Sequence, residues 1–298
     1  MFRFCVTVVV IFSACSSVAR ILLAGDPPSD FRLEWNGRAA GETNSRSSLE
    51  DILTIRGQNL PGGDLHVQYL EAYCRDGSRN LEWVDTTIGH RTELVASEND
   101  GRHLQLKCLL HDGVTVKHLI RAVDDGIDFQ LIAHNTTDRP SRAHWAQPCI
   151  RVDKFTGAGA RDARSVHPLY IRKCFVFLDN QMSRMPTSPW VTESRRTPGQ
   201  VWVPKGVDRN DVNARPLNDR VPSNGLIGCF SADETELMAT AWQPYQELFQ
   251  GVVGCIHSDF RIGGLQPGET KKIHGKIYLM KNDVTKLLEH YHRDFPDL

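Results

Sequence analysis

The sequence predicts an all-β protein, antiparallel strands packed as a sandwich and closed by a single C-terminal helix. Three observations carry this. Apolar side chains alternate with polar ones along many short runs, the period of a half-buried strand. Asp-Gly pairs at 76–77, 100–101, 112–113 and 125–126 separate such runs where a hairpin needs positive φ. Only one stretch, near the C-terminus, has helical spacing, and no strand–helix–strand alternation accompanies it.

The chain of 298 residues can bury one large core, and residues 25–298 are expected to form a single domain. Its net charge of −1 gives no basic footprint, so no nucleic-acid partner is expected. Met1-Phe2-Arg3, the apolar run Phe4–Phe12 and the small residues up to Ala19 read as a secretory signal over residues 1–19. That reading places the protein outside the cytoplasm, secreted or periplasmic. Phe12-Ser13-Ala14-Cys15 also resembles a lipoprotein cleavage box, which would anchor the chain through Cys15. The run is short for a bilayer span, and no transmembrane helix is expected in the mature chain.

Residues 25–50, polar and rich in Gly, Arg and Ser, read as an exposed lead-in. His66–Tyr73 alternates, with Val67, Tyr69 and Tyr73 on one face. Leu104, Leu106, Cys108 and Leu110 begin a three-stranded meander that continues through Val114–Ile120 and Ile127–Ala133 to His134. Later strands are expected at 171–178, 226–230, 237–242, 249–257 and 272–280. Residues 179–224 show little periodicity and read as a long loop of the kind that shapes binding sites. Asp208–Asn213 falls short of an EF-hand, because Val212 occupies a ligand position and the closing Gly and Glu are absent. At the end, Asn282 or Asp283 caps a helix whose Val284, Leu287, Leu288 and Tyr291 form an apolar stripe.

Six cysteines follow the leader, an even number that permits bridges, yet most lie in apolar runs where a thiol packs as a small hydrophobe. No CxxC pair, phosphate-binding glycine motif, GxSxG elbow or HExxH pair is present, and no metal or cofactor is expected. Cys255-Ile256-His257, near Asp259, is too sparse a set to imply a metal. The candidate site follows the turn at Asn135–Pro140, where His144, Trp145, Gln147, Cys149 and Arg151 fall within eight residues. A strand built only for packing has no need of so many polar types. Pro148 should break or bulge that strand and turn these groups into one cleft.

The run Phe129–Pro140, followed by His144-Trp145, resembles the middle of the galactose mutarotase (aldose 1-epimerase) superfamily, as Leu265-Gln266-Pro267-Gly268-Glu269 resembles its closing element. The resemblance implies an antiparallel β-supersandwich with a sugar-binding cleft, and proton transfer between a sugar and a histidine–glutamate pair. The histidine falls on His144, the glutamate nearest Glu247, and a second histidine on His66. Trp145, Trp242 and Tyr245 are candidate stacking platforms, and Gln147, Arg151 and His257 candidate sugar contacts. The chain departs from the pattern at His144-Trp-Ala-Gln-Pro-Cys149, where the family has His-Pro-Tyr-Phe. Two other functions share that fold: a polysaccharide lyase acting on uronic-acid polymers through arginines such as Arg142 and Arg151, and a non-catalytic carbohydrate-binding domain.

Overall fold

Sixteen strands form two antiparallel sheets in the computed structural model, which describes residues 30–37, 51–159, 169–187, 200–251 and 254–296. The expected leader and Cys15 lie outside the described residues. The first sheet runs β1 (Arg32–Trp35), β2 (Ile52–Arg56), β3 (Leu65–Arg75), β9 (Ala143–Arg151), β15 (Cys255–Arg261), β14 (Tyr245–Gly251), with β4 (Thr87–Ile88) beside β3. The second has nine strands: β11 (Gln181–Arg184), β10 (Cys174–Leu178), β12 (Pro222–Phe230), β13 (Glu236–Gln243), β16 (Thr270–Lys281), β8 (Gly126–Asn135), β7 (Val114–Val123), β6 (His103–Leu110), β5 (His90–Glu98). The predicted meander is β6–β8, in continuous register from His103↔Arg121 to Val123↔Gly126.

The inner faces meet in one core. Leu53, Val67, Tyr69, Ile150 and Phe260 come from the first sheet, and Leu106, Val116, Ile127, Phe129 and Ile277 from the second. Each such side chain contributes about 1.5–3 kcal/mol on burial. His118 is one of the polar side chains inside it. Its Nδ1 lies 2.9 Å from the Tyr69 hydroxyl, and its Nε2 lies 3.3 Å from both the Tyr73 hydroxyl and the Cys108 thiol. Burial pushes its pKa down to about 3, so the ring is neutral and serves the core as a hydrogen-bonding spacer.

Two helices are described, the one-turn α1 (Trp83–Thr86) and the predicted α2 (Val284–Asp294). Asp283 caps α2 by accepting from the Lys286 amide at 2.9 Å. Leu287, Tyr291 and the following Phe295 pack on Phe175, Leu226, Ala239 and Tyr278, covering one end of the outer face of the nine-stranded sheet. Beneath the helix, Lys276 Nζ lies 2.7 Å from Asp125, which also holds Arg293 and His290 at 2.7 Å each.

Four sequence expectations are corrected. The lead-in contains strand β1, which pairs with β2. The apolar run 249–257 spans the end of β14 and the start of β15, two strands that pair with each other, rather than forming one strand. Residues 169–173 form a 3-10 turn, so β10 begins at Cys174. The 179–224 segment is not wholly irregular: it holds β11, a 3-10 turn at Arg209–Asp211, and bridges from Val201 to Leu217 and Trp202 to Leu248. Of the two cysteine states left open, the structure has six buried free thiols.

Register shifts interrupt four of the strand pairs, and two of them bear on the site and on the sheet edge. Between Gln68↔Cys149 and Ala72↔Gln147, β3 sets three residues against Pro148 alone. Proline has no N–H for the ladder, and a bulge is where a strand tolerates it. On edge strand β5 the register slips between Leu94 and Ala96, leaving Val95 56% exposed.

The two motifs that carry the family resemblance also touch. Asn135 accepts from the Thr137 amide at 3.0 Å and donates to the carbonyls of Arg139 (2.7 Å) and Leu265 (3.0 Å). Its own backbone exchanges hydrogen bonds with Gly268 and Glu269. One asparagine thus closes its turn and clamps the distant Pro-Gly-Glu turn against it.

Candidate functional site

On β9, alternation past the bulge sends Trp145, Gln147, Cys149 and Arg151 away from the core, while Ala146 and Ile150 point into it. The neighbouring strand β15 presents Cys255, His257, Asp259 and Arg261 on the same face, in register with β9. Beyond it, β14 adds Glu247 and Phe249, and the β3 bulge adds Glu71. Trp83 of α1 and Asn213-Ala214 of the 200–217 segment close over them. All of these but Arg151, Asp259 and Arg261 line a pocket of about 200 Å³. Gln147, Cys149, Cys255 and His257 stand on strands paired on both sides, while Glu247 stands on β14, the last strand of the sheet, which Trp202 bridges at Leu248.

His257 is the hub. Its Nε2 lies 3.2 Å from the Cys255 sulfur, and its Nδ1 lies 3.6 Å from Asp259 Oδ1 and 3.4 Å from Gln147 Nε2. The ring stacks flat on Phe249, with centroids 4.2 Å apart and planes within 2°. Burial alone would lower the His257 pKa. The Cys255 thiolate and the Asp259 carboxylate outweigh it and bring the pKa to about 10. Conversely, burial would raise the Cys255 thiol, but hydrogen bonds from Cys149 and His257 and the imidazolium charge hold it well below its ordinary value. Both shifts act in the direction of a thiolate–imidazolium pair. The sulfurs of Cys149 and Cys255 and a His257 nitrogen lie within 4.8 Å of one another, the one donor set here that a soft cation would accept.

Glu247 is fully buried, and neither of its carboxylate oxygens has a hydrogen-bond partner. Burial, and after it the nearby Asp259 charge, raises its pKa well above the ordinary value. Gln147 Oε1 and Trp145 Nε1, in the same pocket wall, are likewise buried without a partner. An unpaired buried polar group costs about 1–3 kcal/mol, and this pocket gathers several.

The residues named from sequence separate into two groups. Trp145, Gln147, Glu247 and His257 line the pocket. Arg151 is outside the lining and donates to Gln68 Oε1 at 3.2 Å. His144 falls beyond Trp145, where its Nδ1 is 3.5 Å from Asp211, which Arg261 also approaches at 3.4 Å. His66 lies on the other side of the sheet path, its Nδ1 3.2 Å from the Thr54 hydroxyl. Trp242 packs in the inter-sheet core between Phe129 and Phe260, and Tyr245 joins the same core. Glu71 was not named from sequence, since only the bulge turns it toward the pocket. Cys255 and Asp259 were legible as an alternating set with His257, a spacing that gains meaning only beside β9.

No protein-family model and no curated protein matches the chain. Among solved structures it is similar to a protein from Synechocystis sp. PCC 6803, at 10% identity and a TM-score of 0.47, covering 85% of this chain and 92% of that one. It is also similar to a galactose mutarotase-like protein from Lactobacillus casei ATCC 334, at 9% identity and a TM-score of 0.39, covering 83% and 99%. A galactose 1-epimerase from Lactobacillus acidophilus NCFM follows, at 10% identity and a TM-score of 0.36, covering 84% and 100%.

Proposed function

We propose that the protein binds a small carbohydrate in this pocket and exchanges protons with it, Glu247 acting as base and His257 as acid. The observation that carries the reading is the unpartnered, buried Glu247 carboxylate in the wall of a cavity flanked by Trp83, Trp145 and Phe249. A sugar matches such a lining: its C–H faces pack on aromatic rings while its hydroxyls supply the donors that Glu247 and Gln147 Oε1 lack. The volume of about 200 Å³ favours one ring over a chain. Raised basicity suits Glu247 to take the proton of an anomeric hydroxyl, and the imidazolium of His257 has a proton to give the ring oxygen. The ring C–O bond then breaks as the aldehyde forms; rotation about the C1–C2 bond and reversal of both transfers yields the other anomer. This reading moves the acid from His144 to His257, because His144 lies outside the pocket lining, its Nδ1 3.5 Å from Asp211 and without a hydrogen-bond partner.

The lyase reading has less support. It needs free guanidinium groups to neutralise a uronate, yet Arg142 pairs with Asp76 at 2.8 Å and Arg151 bonds Gln68. The leader-like residues 1–19 support export, which N-terminal sequencing of the secreted protein tests: a chain starting near Arg20 is expected, and one retaining Met1 counts against it.

The site is tested by following anomer exchange by NMR for a panel of neutral aldoses, with wild type and E247Q. Turnover of at least one sugar is expected, with a loss of about 100- to 10,000-fold in E247Q at unchanged binding. Binding without exchange in the wild type would leave a recognition pocket in place of an enzyme. Absence of both would remove the reading.

A further inference from the structure

The helix α2 covers only one end of the nine-stranded sheet's outer face. Over β5–β8 and β16 that face is open, and it forms a groove of about 940 Å³ between Val95 at one end and Gln243-Pro244 at the other. Strand register dictates what it displays. Lys107 on β6 stands directly opposite Lys117 on β7, which stands opposite Ile132 on β8, which stands opposite Lys272 on β16. The adjacent row reads Gln105, Leu119, Gln130, His274 and Gln243 across the strands. The groove therefore carries a row of ammonium groups beside a row of amides, with apolar side chains between them.

Like charges directly opposite one another in an antiparallel pair are unfavourable. Lys107 and Lys117 are such a pair, and neither they nor Lys272 make an ion pair or hydrogen bond among the described residues. The nearby acids are occupied: Asp128 holds His274 at 2.7 Å, and Glu93 faces Arg91 at 3.4 Å. Elsewhere on this sheet a cation is matched, as Lys276 is by Asp125 and Lys281 by Glu236. Glu93 stands directly opposite Lys107, so the charge left over in the groove rests mainly on Lys117 and Lys272.

We infer that this groove is a second binding site, for an acidic polysaccharide chain. Ammonium groups spaced across four strands, about 5 Å per strand, suit carboxylates or sulfates repeated along a polymer. The glutamine amides offer paired donors and acceptors to hydroxyls, and Leu119 and Ile132 offer apolar contact to sugar rings. Single-stranded nucleic acid fits less well, because no Phe, Tyr, Trp or Arg lines the groove to stack a base, and the imidazole of His274 is taken by Asp128. The inference is independent of the pocket on the other sheet. The protein would hold a charged chain on one face while the pocket handles a small sugar on the opposite one.

The test is binding of fluorescent short oligogalacturonates to wild type and to K107Q/K117Q/K272Q, with dextran and a single-stranded DNA oligomer as comparisons. The wild type should bind the oligogalacturonate with an affinity that falls as salt rises, and should not bind dextran. The triple variant should lose about tenfold or more in affinity, as expected for three exposed ion pairs. Its thermal midpoint should stay level or rise, since it relieves the Lys107–Lys117 repulsion, and exchange at the Glu247 pocket should be unchanged. Unaltered affinity in the triple variant, no binding by the wild type, or equal binding of the DNA oligomer would each overturn the inference.

Discussion

Glu247 spends stability on position. Buried with both oxygens unpartnered, the Glu247 carboxyl ionises less readily than in the unfolded chain, so stability should fall as the pH rises above the ordinary carboxyl range, and that fall should be smaller in E247Q. Chemical denaturation across pH checks this; an equal fall in E247Q would mean that another group carries it. His118 behaves in the opposite sense. Its folded pKa of about 3 lies below the ordinary 6.5, so between those values only the unfolded chain takes up the proton. Stability should be complete above about pH 6.5 and fall steadily toward pH 3, and in H118Q that step should vanish while the Tyr69 and Tyr73 hydroxyls keep a partner. Which histidine belongs to the pocket was beyond the sequence. His144 and His257 both stand in alternating runs beside aromatic residues. The pairing of β9 with β15 and the bulge opposite Pro148 bring Gln147 and His257 together and leave His144 one step outside.

At the scale of elements, α2 is capped by its own Asp283 at one end and held at the other by Asp125 of the β7–β8 turn and Lys276 of β16. Removing its cap with D283A should cost about 1 kcal/mol, and L287A, which empties a fully buried position, about 2–5 kcal/mol. Asp125 ties the C-terminal turn to β16. Burial alone would raise its carboxyl, but Lys276 and Arg293 hold it at about 2, below the ordinary 3.8. Its ionised form favours the fold, so that contribution is intact above about pH 4 and disappears as the pH falls toward 2. In D125N the corresponding acid-induced drop in melting temperature should be smaller. The sequence was most legible where local chemistry decides the outcome, as in this capped, striped helix and the Asp-Gly hairpins of β6–β8. It misled where both faces of a strand are buried. Phe249 and His257 lie in one nearly unbroken apolar run, and nothing in its period marks the turn that separates β14 from β15.

On the scale of the whole molecule, the fold depends on its last strand. β16 lies between β13 and β8, so it joins the α2-bearing half of the nine-stranded sheet to the meander, with pairs as distant as Thr270↔His134. A chain ending before Thr270 should show no cooperative unfolding transition by circular dichroism; a sharp transition would mean that the halves stand alone. The open end of the same sheet has another vulnerability. Among the described residues no strand pairs with the outer side of β5, an edge that a second chain could extend, and the slip at Val95 bends that edge out of line. The extra residue acts as a colloidal safeguard. Deleting Val95 would straighten the edge and offer a flat template, and the variant should form thioflavin-positive aggregates at concentrations where the parent stays clear.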